Sequence, residues 1–351
     1  MSMRRLLGLL GRPVALAVLG LAVVVLVLTS VDDFRAVQLT QMAYLGIAAG
    51  GLTVLTGLNG QISLGHGALM AIGAYTTALL LQDDEPTLPL LGVLVVATVV
   101  TLVVGAAIGV AAARLHGPYL AGATLALAVA VPGIALYFGD TLGGEQGLRV
   151  RVPDAPDWLL DAAYFVTGQD LTPSTYVAYL GWSVLVVTYL GLAHLSRGRV
   201  GRRWRAVRDD EVAAEVAGIH LGRARVSAFV VSAAAAGAAG FVMAVSVRLA
   251  APSGYSLTLS LTLLTAVVLG GLGSLTGALV GAALLTFLPQ VITDAGVSAG
   301  LDDIRAAELA PLLYGVVLVA VVLLAPAGLV GSLRPAWHRL RETTTSKGAP
   351  R

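Results

Sequence analysis

The sequence predicts an all-α fold, a polytopic bundle of about ten transmembrane helices of which two are short or broken. The 351 residues are 57% hydrophobic and only 12% charged, with a mean hydropathy of +0.87, whereas soluble domains carry about 25% charged residues. Apolar runs of about 20 residues, the length that crosses a membrane, recur along the chain. The runs are continuous rather than alternating, which is typical of transmembrane helices and argues against a β-barrel.

Ten membrane spans are predicted, in chain order. The first, 14–28, follows a basic segment at 1–13 and is interpreted as a retained helix; a cleaved signal peptide is the alternative, although the polar, acidic residues that follow contain no clear cleavage site. The transmembrane domain is predicted to cover 14–330, and 331–351 to form a tail. The other nine spans are predicted at 36–56, 63–82, 89–113, 118–138, 176–196, 225–249, 258–272, 275–291 and 309–325.

The positions of the basic residues predict the orientation of the bundle. With the N-terminus inside, 17 of the 22 basic residues lie inside: three before residue 14, Arg114, eight in 197–225 and five after residue 333. An excess of Lys and Arg marks the cytoplasmic loops of a membrane protein. Both termini and the loop 197–225 are therefore predicted to be cytoplasmic, and the large loop 139–175 to be external.

The spans 258–272 and 275–291 are joined by a glycine-rich sequence, Gly270–Gly277. They are interpreted either as two short spans or as one re-entrant pair that enters and leaves on the same side. Broken helices of this kind are tolerated only where protein or a water-filled cavity covers the backbone. Both alternatives leave the orientation of the other spans unchanged.

A short helix is predicted within the basic loop 197–225. The helix is expected at Asp209–Ala217, because the acidic residues 209–211 would lie in its first turn, where the positive end of the helix dipole favours them. Gly218 then supplies a C-terminal stop. A short capped helix between two apolar segments, on the basic side of a membrane, is suited to docking on a soluble partner.

The residues of this loop are similar to those of a known family. The run 201–219, followed by 228–233 and 236–240, resembles the permease subunits of branched-chain amino-acid ABC importers. A solvated loop obeying the positive-inside rule would explain the arginines but not the order Glu-x-Ala-Ala-Glu-x-x-Gly. The resemblance implies that the short helix is a coupling helix, which inserts into a groove of an ATPase subunit. The residues implied to couple the chain to the ATPase are Arg208, Asp209, Asp210, Glu211, Ala213, Ala214, Glu215 and Gly218.

Two further stretches carry the same resemblance. Residues 55–75 contain Gly-Gln-Ile-Ser-Leu-Gly-His, which looks like the M-type member of the two paralogous permeases, and residues 266–285 match the family's glycine-rich region. Together the matching stretches span most of 40–325. The family then implies a paralogous permease as heterodimer partner, two ABC ATPase subunits and an extracytoplasmic substrate-binding protein in the bacterial inner membrane. The implied substrates are leucine, isoleucine, valine and related small amino acids.

Polar residues and glycines at two helix breaks are candidates for the translocation path. Two interpretations remain open: the residues at 59–67 line the path, or they form a capped turn in which His66 is hydrogen-bonded locally. The glycine-rich sequence after 270 offers a second break. The candidate path residues are Asn59, Gln61, Ser63, His66, Gly67, Gly271, Gly273 and Ser274.

The sequence does not predict an enzyme. A P-loop requires Gly-x-x-x-x-Gly-Lys-[Ser/Thr], and the only lysine is Lys347, so any ATP must be bound by another chain. No cysteine is present, and neither a metal nor another cofactor is predicted.

Three other functions compete with the ABC importer of branched-chain amino acids. Importers of urea or short-chain amides use similar permeases. An ion-coupled secondary transporter is a second alternative. The predicted spans hold no Asp, Glu or Lys near their middle, which disfavours proton coupling but leaves sodium coupling through carbonyl groups open. A purely structural membrane protein would not need a loop of the coupling type.

Overall fold

The computed structural model describes residues 20, 22–83, 88–115, 118–168, 170–325 and 328–332. The segment 1–13, seven of the 15 residues of the predicted span 14–28 and most of the tail 331–351 lie outside these residues. The described helices are α1 (22–28), α2 (Asp33–Leu52), α3 (His66–Leu80), α4 (Leu90–Ala112), α5 (Pro118–Tyr137), α6 (Gly139–Leu142), α7 (Asp157–Thr167), α8 (Pro173–Arg197), α9 (Arg199–Asp209), α10 (Glu211–Val216), α11 (Leu221–Val247), α12 (Leu257–Gly270), α13 (Leu275–Ser298) and α14 (Asp303–Leu324).

The predicted all-α membrane bundle is confirmed. Eight described helices are long and apolar enough to cross a membrane, and α3 is a shorter apolar helix. Each of the nine predicted spans after the first coincides with one helix. Two helices of the bundle are short: α3 has 15 residues and α12 has 14, although the segment Pro252–Gly270 that contains α12 has 19. The predicted 275–291 segment is not short, because it belongs to α13, which continues to Ser298. The second short helix is therefore α3.

The helices join at two distinct ends of the bundle. One end, here called the Arg-rich end, carries α9 and α10, and the side chain of Arg225 donates to the Ala113 carbonyl there at 3.4 Å. At the opposite end, a two-residue strand β1 (Leu148–Arg149) pairs antiparallel with β2 (Leu249–Ala250). The loop 139–175 is thereby attached to the end of α11. The two ends match the predicted separation of the basic loop from the large loop.

Helix α11 lies at the centre of the bundle and packs on α2, α3 and α4. The contacts depend on small residues: a Cβ atom built on Gly240 would lie 2.1 Å from the Met70 carbonyl oxygen of α3. Two other glycines also face inward, since Gly105 meets Ala233 and Gly281 meets the Ala266 carbonyl. Such backbone-to-backbone approaches let helices associate without a water-driven hydrophobic effect.

Helices α3 and α12 both begin inside the bundle rather than at its ends. The Gly67 amide donates to the Ser260 hydroxyl at 2.9 Å, so the two helix starts are adjacent. His66 lies against Gly51, whose other neighbours are Ser232 and Ala235. These two residues of α11 are 11 and 14 residues past its start, or roughly 16–21 Å along the axis at 1.5 Å per residue.

Helices α12 and α13 cross the bundle in opposite directions. Helix α12 runs from its start beside Gly67 to Gly270 at the Arg-rich end, and α13 returns over 24 residues, about 36 Å at 1.5 Å per residue. A helix of this length is long enough for a full span. The structure therefore supports two consecutive spans, the first short, over the re-entrant pair.

We expect Gly240→Ala to lower the melting temperature of the detergent-solubilised protein. The new methyl group would meet the Met70 carbonyl oxygen, and overpacking of this kind destabilises a core by about 1–3 kcal/mol. Gly191→Ala in α8 is the matched control, because nothing lies within 4 Å of its Cβ position. Equal melting temperatures for the two variants would contradict the described packing of α11 on α3.

Candidate functional site

Helix α9 lies across the Arg-rich end with one face packed on the bundle. Gly201, Trp204 and Val207 are buried and three residues apart, so they share one side of the helix. The Trp204 indole N–H donates to the Ser227 hydroxyl of α11 at 2.9 Å. Arg202 and Arg203 are exposed. The predicted loop therefore contains an amphipathic helix of 11 residues before the predicted coupling helix.

A break at Asp210 separates α9 from α10. Asp210 has an extended backbone (φ −160°, ψ 112°), and its carboxylate accepts a hydrogen bond from the Ala213 N–H at 3.0 Å. An aspartate in this position is a favourable N-cap. The predicted helix Asp209–Ala217 is therefore shorter than expected, because Asp209 ends α9 and Asp210 caps α10. Glu211 is the first helical residue.

Helix α10 projects from the bundle with an apolar edge uncovered. Only Ala214 is buried, while Val212 is 73% and Val216 85% exposed. Gly218 follows with φ +82°, a left-handed conformation that ends the helix and that glycine adopts without strain. The Ile219 N–H then donates to the Ala214 carbonyl at 2.9 Å. A capped helix whose apolar edge is exposed has the form of a docking element.

Two of the eight predicted coupling residues point into this chain. Arg208 Nη1 donates to the Gly57 carbonyl at 2.6 Å and its Nη2 lies 2.9 Å from the Asp209 carboxylate. The Glu211 carboxylate accepts from Arg225 Nη2 at 2.6 Å. Five of the other six are exposed on α10 and its flanks, and the sixth, Ala214, is buried. These five are Asp209, Asp210, Ala213, Glu215 and Gly218.

The first group of predicted path residues is buried between α2 and α3. The end of α2 widens into a π-helical turn, Thr53–Leu58, and the chain is not helical from Gln61 to Gly65. The Gln61 side-chain amide donates to the Asn59 side chain and, at 3.1 Å, to the Arg225 carbonyl. Ser63 accepts from the Gly65 N–H at 3.3 Å. The structure thus assigns these side chains to contacts within the chain.

The environment of His66 differs from the one that the capped-turn interpretation predicted, in which His66 is hydrogen-bonded locally. Its side chain is fully buried, and neither ring nitrogen makes a hydrogen bond of normal geometry to a described residue, although the ring faces the Ala48 carbonyl. The Ser232 hydroxyl on α11 likewise has no described partner. Unpaired buried polar groups are costly and uncommon, so both residues mark a polar site at the break.

The second group of predicted path residues forms a tight turn between α12 and α13. Gly271 and Gly273 have φ values of +116° and +82°, and the Ser274 hydroxyl caps α13 by accepting from the Gly277 N–H at 3.2 Å. A Cβ atom on Gly57 would lie 2.3 Å from the Gly273 nitrogen. This turn therefore contacts the π-helical turn that precedes the first group of path residues.

Sequence reasoning missed a stripe of threonines on α12. Thr258, Thr262 and Thr265 are wholly or partly exposed and share one face of the helix. The hydroxyls of Thr262 and Thr265 donate at 2.8 Å to carbonyls one turn earlier, which leaves the oxygens able to accept further hydrogen bonds. The helical spacing of threonines within an apolar segment is the signal that would have revealed this face.

Comparison with known proteins places the chain in one family. Residues 36–322 match the family described as branched-chain amino acid transport system / permease component. This match covers most of the chain, and the chain therefore belongs to this family of integral membrane permeases. The predicted resemblance is confirmed.

The curated relatives belong to the same kind of transport system. The chain is 30% identical over 315 residues to the high-affinity branched-chain amino acid transport system permease protein LivM of Salmonella typhimurium, which covers 86% of this chain and 71% of the relative. LivM of Escherichia coli is 31% identical over 304 residues, 81% of this chain and 67% of the relative. LivH of Escherichia coli is 26% identical over 80% of this chain and 89% of the relative. No solved structure matches the chain.

We expect Asp210→Ala to weaken α10 without disturbing the bundle. Loss of an N-cap side chain costs a helix about 1 kcal/mol, so amide hydrogen exchange at residues 213–217 should become several-fold faster. Asp209→Ala is the control, because the Asp209 carboxylate contacts Arg208 and caps no helix. Unchanged exchange in Asp210→Ala would show that this carboxylate does not hold α10 in solution.

Proposed function

We propose that this chain is a permease subunit of an ATP-driven ABC importer that carries branched-chain amino acids across the bacterial inner membrane. The observation that carries the proposal is α10, a capped helix with Val212 and Val216 exposed at the Arg-rich end of a chain from this permease family. An exposed apolar edge on a projecting helix fits a groove of a soluble partner. The names of the relatives support branched-chain amino acids as the substrates.

The proposed complex contains this chain, a paralogous permease, two ABC ATPase subunits and an extracytoplasmic substrate-binding protein. ATP binding closes the ATPases and displaces α10, and hydrolysis reverses the movement. The chain itself hydrolyses no ATP and holds no cofactor. Both LivM and LivH relatives match this one sequence, which supports pairing with a paralogue of the same fold.

The proposed path follows the short helices α3 and α12. Both begin inside the bundle with adjacent N-termini, and the N-terminus of a helix carries partial positive charge that favours a carboxylate. Discontinuous helices of this kind line the substrate pathway in other transporters. The predicted path residues near His66 and Gly271 would shape the break, while Thr258 and Thr262 would face a substrate at the contact with the paralogue.

The proposed orientation puts the Arg-rich end in the cytoplasm. The described part of this end carries most of the described basic residues, including the eight arginines of 197–225, as the positive-inside rule requires. Gly328, near the last described residue, lies beside Gly271 at the same end. Both termini are accordingly proposed to be cytoplasmic.

Cysteine labelling tests this orientation. The sequence contains no cysteine, so single replacements have no background. In intact cells, Gln146→Cys at the opposite end should react with an impermeant maleimide. Arg203→Cys on α9 should react only after lysis, because this end is proposed to be cytoplasmic. Both positions are exposed in this chain, so a lack of labelling would not result from burial. Labelling of Arg203→Cys from outside would reverse the proposed topology.

Reconstitution tests the function itself. The complex, purified through a tag on the full-length chain, should contain an ABC ATPase and, with its binding protein, should take up leucine into proteoliposomes only when ATP is present. An excess of urea should not compete. Val216→Glu should reduce copurification of the ATPase about tenfold or more, because an unpaired carboxylate resists burial in an apolar groove.

Ala162→Glu is the control for docking, because it introduces the same charge at an exposed position of α7, at the opposite end. It should leave copurification of the ATPase unchanged. Normal copurification with Val216→Glu would show that α10 is not the docking element.

Two results of the transport assay would contradict the proposed function. ATP-driven uptake of urea but not of leucine would change the proposed substrate to the competing class. Leucine uptake driven by an ion gradient without ATP would replace the ABC mechanism.

A further inference from the structure

Two arginines connect the α9–α10 junction to the two helix breaks of the bundle. We propose that Arg208 and Arg225 are positioning residues that transmit a displacement of α10 to the break before α3 and to the turn between α12 and α13. The inference rests on the proposed function, since it concerns how ATP-driven movement of α10 reaches the membrane domain. It assigns to the two arginines a role inside this chain rather than at the surface of a partner.

Arg208 joins α9 to both breaks at one point. Its Nη1 donates to the Gly57 carbonyl at 2.6 Å, a short distance typical of charge-assisted hydrogen bonds. Gly57 lies in the π-helical turn that ends α2, and its Cα is in direct contact with Gly273. The stem of Arg208 also packs on Gly60, where a Cβ atom would lie 3.0 Å from the arginine Cγ. A movement of Arg208 therefore displaces Gly57 and Gly273 together.

Arg225 joins α10 to the segment that leads into α3. Its side chain is only 7% exposed, and its Nη2 donates to the Glu211 carboxylate at 2.6 Å. Its backbone carbonyl accepts from the Gln61 side chain at 3.1 Å, and Gln61 also donates to Asn59. The connection therefore runs from the first residue of α10, through the first turns of α11, to the chain that precedes His66.

The energetics favour a stiff connection through Arg225. An arginine remains charged in proteins, and a buried charge that loses its partner is strongly destabilising. Glu211 is the acidic side chain that pairs with it among the described residues. Separation of Glu211 from Arg225 is thus disfavoured, so α10 and the start of α11 move as a unit. Asp210 breaks the helix between Arg208 and Glu211, so one connection starts from the end of α9 and the other from the start of α10.

The other arginines of the loop offer matched controls. Arg223 lies two residues before Arg225 on α11 but is exposed, and Arg203 lies on the exposed side of α9. A role limited to the orientation of the loop would make the arginines equivalent, because the positive-inside rule counts charges regardless of their contacts. The proposed role separates Arg208 and Arg225 from Arg203 and Arg223.

The experiment uses the reconstituted complex with the variants Arg208→Gln and Arg225→Gln. Both should retain the ATPase subunits and ATP hydrolysis but lose leucine uptake by roughly 5-fold or more, the usual size of an allosteric coupling. Arg223→Gln should keep uptake within about twofold. Arg225→Lys should recover part of the uptake, because it retains the charge facing Glu211.

A second measurement follows the break itself. Ile62→Cys lies in the non-helical segment before α3 and is 53% exposed. Its rate of maleimide labelling should change when ATP and vanadate trap the complex, and this change should disappear in Arg225→Gln. A residue needed only for folding would alter the amount of complex rather than remove the ATP-dependent change. If the complex with Arg225→Gln does not assemble, labelling is measured in Glu211→Gln instead. This variant breaks the same ion pair at its more exposed residue.

The outcomes separate the inference from the proposed function. Absence of ATP-driven uptake in the wild-type complex would overturn the proposed function and, with it, this inference. Normal uptake in the wild type together with normal uptake in Arg208→Gln and Arg225→Gln would overturn the inference alone. The double variant Glu211→Gln, Arg225→Gln gives a further test. If its loss of uptake equals the sum of the two single losses, the inference is contradicted, because the effects of two residues in one connection should not add.

Discussion

The need to satisfy backbone groups inside a membrane governs the centre of this structure. Unpaired N–H and C=O groups in hydrocarbon cost several kcal/mol each, yet the chain leaves helical conformation before α3, inside the bundle. Side chains from other helices supply the missing partners: the Leu64 N–H donates to Thr124 on α5 at 3.0 Å and the Gly67 N–H to Ser260 on α12 at 2.9 Å. The break is therefore held by side chains of two other helices at once, and its geometry depends on their relative positions.

Close helix packing makes this arrangement possible. Glycines on α3, α11, α12 and α13 bring backbones into direct contact, as where Gly270 meets the Gly277 carbonyl. Because such surfaces have no long side chains to rearrange, small rotations of one helix are passed on to its neighbours rather than absorbed. A bundle packed in this way moves as a few rigid units, which suits the movement of the short helices in the proposed transport cycle.

Much of this fold could be predicted from the sequence, and the parts that could not have physical reasons. The span predicted at 89–113 is observed as Leu90–Ala112, since a purely apolar run has clear limits. Helix α13 was underestimated because it continues through Pro289 to Asp294 and beyond. Helix α9 was predicted as loop, although the spacing of Gly201, Trp204 and Val207 carries a helical signal. The bond from Arg208 to Gly57 joins residues 151 positions apart, and no local pattern predicts it.

The arginines of 197–225 show why charge patterning and contact geometry have to be considered together. As charges, all eight contribute equally to orientation. As side chains they divide into two kinds, because Arg225 is buried against Glu211 whereas Arg203 faces outward. A buried arginine at the start of a transmembrane helix would be destabilising unless its partner stayed in place. The stability of α11 thus depends on the pair that Arg225 makes with the first residue of α10, and this pair is the connection that the proposed movement of α10 would use.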